Sequence, residues 1–301
     1  MQGDVVTTIV AYRSGSGGRE ALRLGALWAR SASSKLLVVS AFAADDEGVP
    51  TIDIHYRDIL REQLSEAMAD AKSRAPEGVD VEFRIQDGHS IPSALTQLGE
   101  QESADLIVVG NSAHGMLGRV SLGSVANHLV HSSPVPIALA PRGFRTSRND
   151  RVTRVVAAFG GQASKSGLVL AAAGICAQTG AELQLAAFVV QPRSATPESM
   201  QALTRDIHDK AQEVLTVVKA LPNAPKVADT IVRTGESWTD AVEGLEWETG
   251  DVLVVGSSDM STGRRVFLGS NGMRIVRASP VPVIVVPRAA VDTLAERAAE
   301  G

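Results

Sequence analysis

Two stretches carry the residues whose type and spacing suit chemistry. Gly110 closes the apolar run "DLIVVG" and, after a loop, Gly123-Ser124 opens "VANHLVH"; later, Gly256 closes "DVLVVG" and Gly269-Ser270 opens "NGMRIVR". A strand ending in glycine, then a loop, then a helix starting with Gly-Ser is a form that binds phosphate. The first N–H groups of a helix have no partner within it, its dipole is positive at that end, and a serine there either caps the helix or donates to a phosphate oxygen. The same residues also make an ordinary tight turn with an N-cap, and spacing alone leaves both readings open.

Residues for catalysis are scarce. "SGSGG" at 14–18 has the glycines of a phosphate loop but not the Lys-Ser/Thr that completes one. His114, within the first loop, either touches a phosphate or is solvated. His128 and His131 share a helix face, with no third ligand at a suitable spacing for a metal. No Ser-His-Asp order and no pair of carboxylates is legible. The single cysteine, Cys176, lies in "AAAGICAQTG" and reads as a small buried hydrophobe. The expectation is a protein that is not an enzyme.

The elements around these residues come in duplicate. Gly110 and Gly256, Gly123 and Gly269, Pro134 and Pro280, and Arg142 and Arg288 are each 146 residues apart, and residues 105–142 and 251–288 share 17 identities in 38 positions. That is an internal duplication. The same offset puts Phe42 on Phe188 and Leu22 on Leu168, whereas Gly88 and Gly235 lie 147 apart, which reads as a one-residue insertion in the second copy. In the first copy "TTIVAY", "KLLVVSAF", "VDVEFRI", "ADLIVVG" and "VPIALAP" read as strands, alternating with helical stretches such as "GREALRLGALWARSA". Strands suited to burial on both faces, separated by helices, imply a parallel sheet wrapped by helices. The fold class is therefore α/β: two tandem doubly wound domains, each a mostly parallel five-stranded sheet with helices on both faces. The polar, basic stretch 142–154 is the linker, giving domains at 1–145 and 146–301; the tail after Arg288 reads equally as a short helix or a frayed end.

Bulk composition bounds the partners. A length of 301 residues suits two domains, and no apolar run approaches the ~18 residues of a membrane span. The start, "MQGDVVTTIV", shows no secretory signal, so a cytoplasmic protein without a membrane partner is expected. A net charge of -5 with 4% aromatic residues lacks the basic patch and stacking rings of a nucleic-acid binder.

Both copies resemble the universal stress protein family. The resemblance rests on Gly110, position 113 and Gly123-Ser124 in the first copy, on Gly256, position 259 and Gly269-Ser270 in the second, and on "SPVP" before a last strand in each. It implies a site for ATP or AMP, with Mg, formed in the first copy by Arg13, Ala41, Gly110, Ala113, Gly123 and Ser124, and a degenerate one in the second by Phe159, Ala187, Gly256, Asp259, Gly269 and Ser270. The family's second loop glycine is replaced by Ala113 and by Asp259, whose carboxylate would repel phosphate. Its acidic residue after the first strand aligns with Arg13 and Phe159. Arg13 either reaches an anion, fills the nucleoside end or pairs with a carboxylate such as Asp87; Phe159 takes the space an adenine needs. "SGSGG" also resembles ATP pyrophosphatase loops, without their acidic residue.

The resemblance further implies that last strands dimerise. Strands 135–141 and 281–287 would then meet across a pseudo-twofold axis as an internal dimer, and two chains could pair again. Three functions follow: a stress-response binding or regulatory module working through protein partners, a nucleotide sensor using the first domain only, and a slow ATPase, for which no base is legible.

Overall fold

In the first half, strands β1 (Thr7–Ala11), β2 (Lys35–Ala43), β3 (Val81–Gly88), β4 (Ala104–Val109) and β5 (Ile137–Leu139) alternate with helices α1 (Ser16–Ala32), α2 (Ile54–Lys72), α3 (Ile91–Gln101) and α4 (Ser124–Ser132). These come from a computed structural model that describes residues 6–43, 54–112, 116–160, 166–257 and 269–299. β1 pairs with β2 and β4, β2 with β3, and β4 with β5, all parallel, so the strand order is 3-2-1-4-5. Right-handed crossovers then place α1 and α2 on one face and α3 and α4 on the other. Ile9, Val10, Leu36, Val38, Ile107 and Val108 are fully buried, as a sheet covered on both faces requires.

The second half repeats the plan with β6 (Arg154–Ala158), β7 (Glu182–Val190), β8 (Ile231–Gly235), β9 (Asp251–Gly256) and β10 (Val283–Val286), and with α5 (Ser166–Thr179), α6 (Pro197–Lys219), α7 (Trp238–Glu243), α8 (Ser270–Ala278) and α9 (Arg288–Ala299). Its pairings are again parallel, in the order 10-9-6-7-8. The chain divides into compact units Met1–Asn149 and Asp150–Gly301, a few residues beyond the expected boundary at 145. Cys176, on α5, is 1% exposed, and burial pushes its thiol pKa up. Among the described residues no helix is long and apolar enough to cross a membrane.

Strand pairing corrects the alignment of the two copies. Thr7 pairs with Lys35 as Arg154 pairs with Glu182, and both steps are 147 residues (154 less 7, 182 less 35). Gly88 and Gly235 keep that step, while Asp105 and Asp251 are 146 apart (251 less 105). The second copy therefore has no insertion before Gly235; it is one residue shorter between Gly235 and Asp251, where the six-residue α7 replaces the eleven-residue α3. Phe159 consequently matches Tyr12, not Arg13. Each donates its backbone N–H to the second strand at equivalent carbonyls, Tyr12 to Val39 and Phe159 to Ala186, both at 2.8 Å.

A buried carboxylate lies at the amino end of the fourth strand in each unit, satisfied differently. Asp105 accepts from the Thr8 hydroxyl at 3.2 Å and from Trp28 Nε1 at 3.3 Å. Asp251 takes a two-pronged contact from Arg154, Nε to Oδ1 at 2.9 Å and Nη2 to Oδ2 at 2.5 Å, and its Oδ2 also accepts from the Glu248 N–H. This fork raises the Arg154 pKa further, its hydrogen bond to Asp251 being the leading cause.

The tail after Arg288 is a helix because α5 is shaped to receive it. A Cβ on Gly174 would lie 1.7 Å from the Leu294 carbonyl oxygen, and one on Gly167 would lie 2.9 Å from a Val291 methyl. Leu294 and Ala298 are 4% and 0% exposed on that contact. Gly174→Ala forces α9 away and is expected to lower stability by about 1–3 kcal/mol, read from the urea midpoint at unchanged slope. A loss within about 0.5 kcal/mol, ordinary for a surface change, would show that this contact holds little.

Candidate functional site

In each unit the strand order reverses between the first and fourth strands, and ligands of doubly wound sheets sit beyond the carboxyl ends there. In unit 1 two turns border that crevice, one after β1 and one after β4. They touch backbone to backbone. A Cβ on Gly110 would lie 1.9 Å from Gly17 O, one on Gly17 would lie 2.6 Å from Asn111 O, and one on Gly18 would lie 1.9 Å from Arg13 O. These glycines are required by the chain's own packing, whatever else they admit.

Asn111 shapes the loop after Gly110. The residue is 9% exposed; its Nδ2 donates to Arg119 O at 2.5 Å and its Oδ1 accepts from Ser121 N at 2.7 Å. Ser112 N adds a bond to Ser121 O at 2.9 Å, so the loop returns to its own start and delivers the chain to Gly123. Gly123, not Ser124, is the N-cap of α4, with φ -75, ψ 175 and no capping side chain. Asn127 N to Gly123 O is the first helical bond, which leaves the N–H groups of Ser124, Val125 and Ala126 without a partner inside the helix. Space is open outside this turn: a Cβ on Gly123 would meet nothing nearer than Ser112 Cβ at 4.0 Å, and Ser124 is exposed. Unpaired N–H groups, the helix dipole and the Ser112 and Ser124 hydroxyls together make a cradle for an anion.

On the other side of the crevice β1 is followed by Tyr12 and Arg13. Arg13 is exposed and forms no ion pair with Asp87, itself exposed. Beside it Tyr12 is 4% exposed, and its hydroxyl donates to Asp70 Oδ2 at 2.6 Å. Burial, followed by this hydrogen bond and the Asp70 charge, pushes the Tyr12 pKa up to about 12. Asp70 is held below the usual carboxylate range by the Tyr12 hydrogen bond and by Arg74 Nε at 2.9 Å. A folded pKa above the unfolded value near 10 means that this contribution is complete below about pH 10 and is lost as pH rises through about 12. Alkaline spectrophotometric titration should show one late phenol, removed by Tyr12→Phe; a Tyr12 that ionises with the unfolded chain's tyrosines would contradict the bond. Ala41, half-buried on β2, pairs with Gln86.

Unit 2 builds the same place differently. Among the described residues, Gly256 is approached at 3.3 Å by the Leu168 side chain. Ser257, the counterpart of Asn111, offers its Oγ to Arg288 N at 3.2 Å, at the root of α9. Phe159 and Ala187 are buried, at 5% and 2%. Gly269 caps α8 with no side-chain bond, as Gly123 caps α4, and Ser270 is exposed. Since Phe159 is matched by Tyr12, a bulky ring at the first strand end does not distinguish unit 2 from unit 1; Gly160, exposed and with open space where a Cβ would point, stands opposite Arg13 instead. Ala113, His114 and Asp259 lie outside the described residues.

Sequence reasoning missed Tyr12, Asn111 and Asp70. "TTIVAY" hid Tyr12 as a strand residue, and the change from Asn111 to Ser257 between the copies was the one visible signal for the loop clasp.

Two parallel sheets of order 3-2-1-4-5, each with an uncapped Gly-Ser helix start after its fourth strand, define the class of protein, and comparison with known proteins agrees. The sequence profile of the Universal stress protein family matches residues 7–141 and again 151–287. Universal stress proteins of Mycobacterium tuberculosis and Mycobacterium bovis are 29% identical over 293 residues, covering 94% of this chain and 100% of each relative. The crystal structure of a universal stress protein from Archaeoglobus fulgidus overlays with a TM-score of 0.62 at 17% identity, covering 96% of this chain and 100% of that one. A putative universal stress protein from Pseudomonas aeruginosa overlays with a TM-score of 0.55 at 15% identity, covering 98% of each chain. The chain belongs to the universal stress protein family, with two family domains in tandem.

Proposed function

We propose that the protein is a non-catalytic binding module that takes the phosphate end of an adenine nucleotide, ATP or AMP, at the start of α4 in unit 1, with unit 2 as its scaffold. The observation that carries this is the turn at Gly123, which has no capping side chain, leaves three helix N–H groups without a partner inside the helix and has Ser112 beside it, with Ser124 exposed. The Asn111 clasp favours unit 1, since it holds the cradle in shape before a ligand arrives. In unit 2 the matching residue is engaged with α9 and Leu168 covers Gly256.

Arg13 and Tyr12 argue against catalysis as part of this role. A guanidinium and a phenol that stays protonated to about pH 12 take no proton from water near neutrality. Among the described residues, those flanking the cradle offer hydroxyls and N–H groups but no carboxylate, so a Mg ion would arrive on the phosphates of ATP and be held by them. Loss of the family's acidic contact at Arg13 supports a second reading, a scaffold for protein partners that has given up nucleotide.

Mass spectrometry of the denatured, freshly purified protein separates the two. Adenine nucleotide at up to one equivalent per chain is expected. Two equivalents would show unit 2 to be a working site, and none, combined with no uptake of added ATP, would favour the scaffold.

A further inference from the structure

β3 ends the strand order of unit 1, and among the described residues no strand pairs with its outer side. It is long and regular for an edge. All eight residues keep one register against β2, from Leu36 opposite Val81 to Ala43 opposite Gly88. The Leu36 N–H donates to Asp80 O at 2.8 Å, which fixes the alternation along the strand. Even-numbered residues of β3 turn their backbone N–H and C=O groups towards β2, and Val81, Phe83, Ile85 and Asp87 turn theirs outward. An uncovered row of such groups is a template for another strand.

The side chains of this edge are sorted by face. Val81, Phe83 and Ile85 share one face, and Ile85 is 45% exposed, high for an isoleucine. Glu82 and Arg84 share the other, joined to each other at 2.7 Å, with Lys35 on Glu82 and Glu102 on Arg84, both at 2.5 Å. Two cations and two anions balance within the chain, yet the side chains of Glu82 and Arg84 keep 37% and 32% of their surface exposed at the edge. Unit 2 blunts the corresponding edge. There β8 has five residues, and the chain before it meets β7 through the isolated bridge of Leu183 with Val227.

The alternation restricts what can dock on β3. An antiparallel strand must set outward-bonding residues opposite outward-bonding residues, so for two copies of β3 the twofold axis falls at a residue and not between two. An axis at Arg84 sets Arg84 against the partner's Arg84, and an axis at Glu82 sets Glu82 against the partner's Glu82, like charges directly opposed. An axis at Ile85 sets Phe83 against the partner's Asp87. An axis at Phe83 satisfies every position. Glu82 then faces the partner's Arg84, Arg84 the partner's Glu82, Val81 the partner's Ile85 and Phe83 the partner's Phe83. The apolar pairs fall at the hydrogen-bonded sites and the charged pairs at the closer sites between them, where side chains meet best. Such a pair uses up the edge of both chains, so association stops at two.

We propose that two copies of this chain join through β3, antiparallel about a twofold axis at Phe83. Sedimentation of the full chain at up to about 100 µM, enough to fill a weak specific interface, should read twice the chain mass. Ile85→Pro deletes an outward N–H, leaves the ladder to β2 whole and suits an edge strand, so it should weaken the dimer at least about tenfold with unchanged far-ultraviolet dichroism. Val81→Cys/Ile85→Cys tests the register. Within one chain these positions are about 13 Å apart, too far for a disulfide, whereas across the axis they are directly opposed. Mild oxidation should give a covalent dimer from the double variant and none from Ile85→Cys alone, the native Cys176 being 1% exposed. A parent that stays a monomer, a dimer undiminished by Ile85→Pro, or a double variant that does not cross-link would each overturn the proposal.

Discussion

Arg154→Met should destabilise unit 2 by about 3–5 kcal/mol, because it strands a buried carboxylate. Asp251 has a side chain 1% exposed, and the fork from Arg154, itself 21% exposed, is its charged partner. The Glu248 N–H also reaches it, which lessens but does not cancel the cost of a buried charge without a counterion. The double variant Arg154→Met/Asp251→Asn removes the charge with its partner and should recover most of the loss. Unit 1 supplies a comparison: Asp105 accepts from the Thr8 hydroxyl and from Trp28 Nε1, so Trp28→Phe, which deletes one neutral donor, should cost about 1–3 kcal/mol. Urea unfolding of the three variants decides. A loss in Arg154→Met no larger than in Trp28→Phe would mean that water reaches Asp251 and that the pair is worth little more than an exposed one.

The fold was legible because the sequence repeats its evidence. One offset aligned the two Gly-Ser starts and the two "SPVP" turns, and β-branched runs between helical stretches left few topologies. Register was not legible. Leu22 against Leu168 and Phe42 against Phe188 are plausible matches at 146, yet strand hydrogen bonds set the step at 147 up to Gly88 and Gly235. In runs this rich in apolar residues buried on both faces, a slip of one position brings no polar group inside, so composition raises no objection. The slip mattered at the site, because it assigned Phe159 to Arg13 and made bulk a distinction between the units that the structure does not contain.

Other features were out of reach for a different reason. α9 packs because Gly174 and Gly167 open a seat on α5, a property of two segments more than a hundred residues apart. The glycines of "SGSGG" looked like a ligand loop and proved to be where the turn after β1 meets Gly110 and Asn111. Asn111 read as one more polar loop residue, although its side chain closes the loop that carries the cradle. Gly123-Ser124 was found correctly as a helix start, but the cap is the glycine, and that shift leaves the first turn open.

The central claim is that one cradle, at Gly123, receives phosphate. Isothermal titration of the intact chain with ATP, repeated on Gly123→Asp, tests it most directly. Aspartate is a favoured N-cap, so α4 should be preserved or strengthened in the variant, while a carboxylate about 4 Å from a phosphate costs roughly 1–4 kcal/mol per charge pair depending on screening. The account predicts one equivalent of ATP bound to the parent and none at the same concentrations to Gly123→Asp, with the unfolding midpoint unchanged or raised. One full equivalent on the variant, or two on the parent, would contradict it.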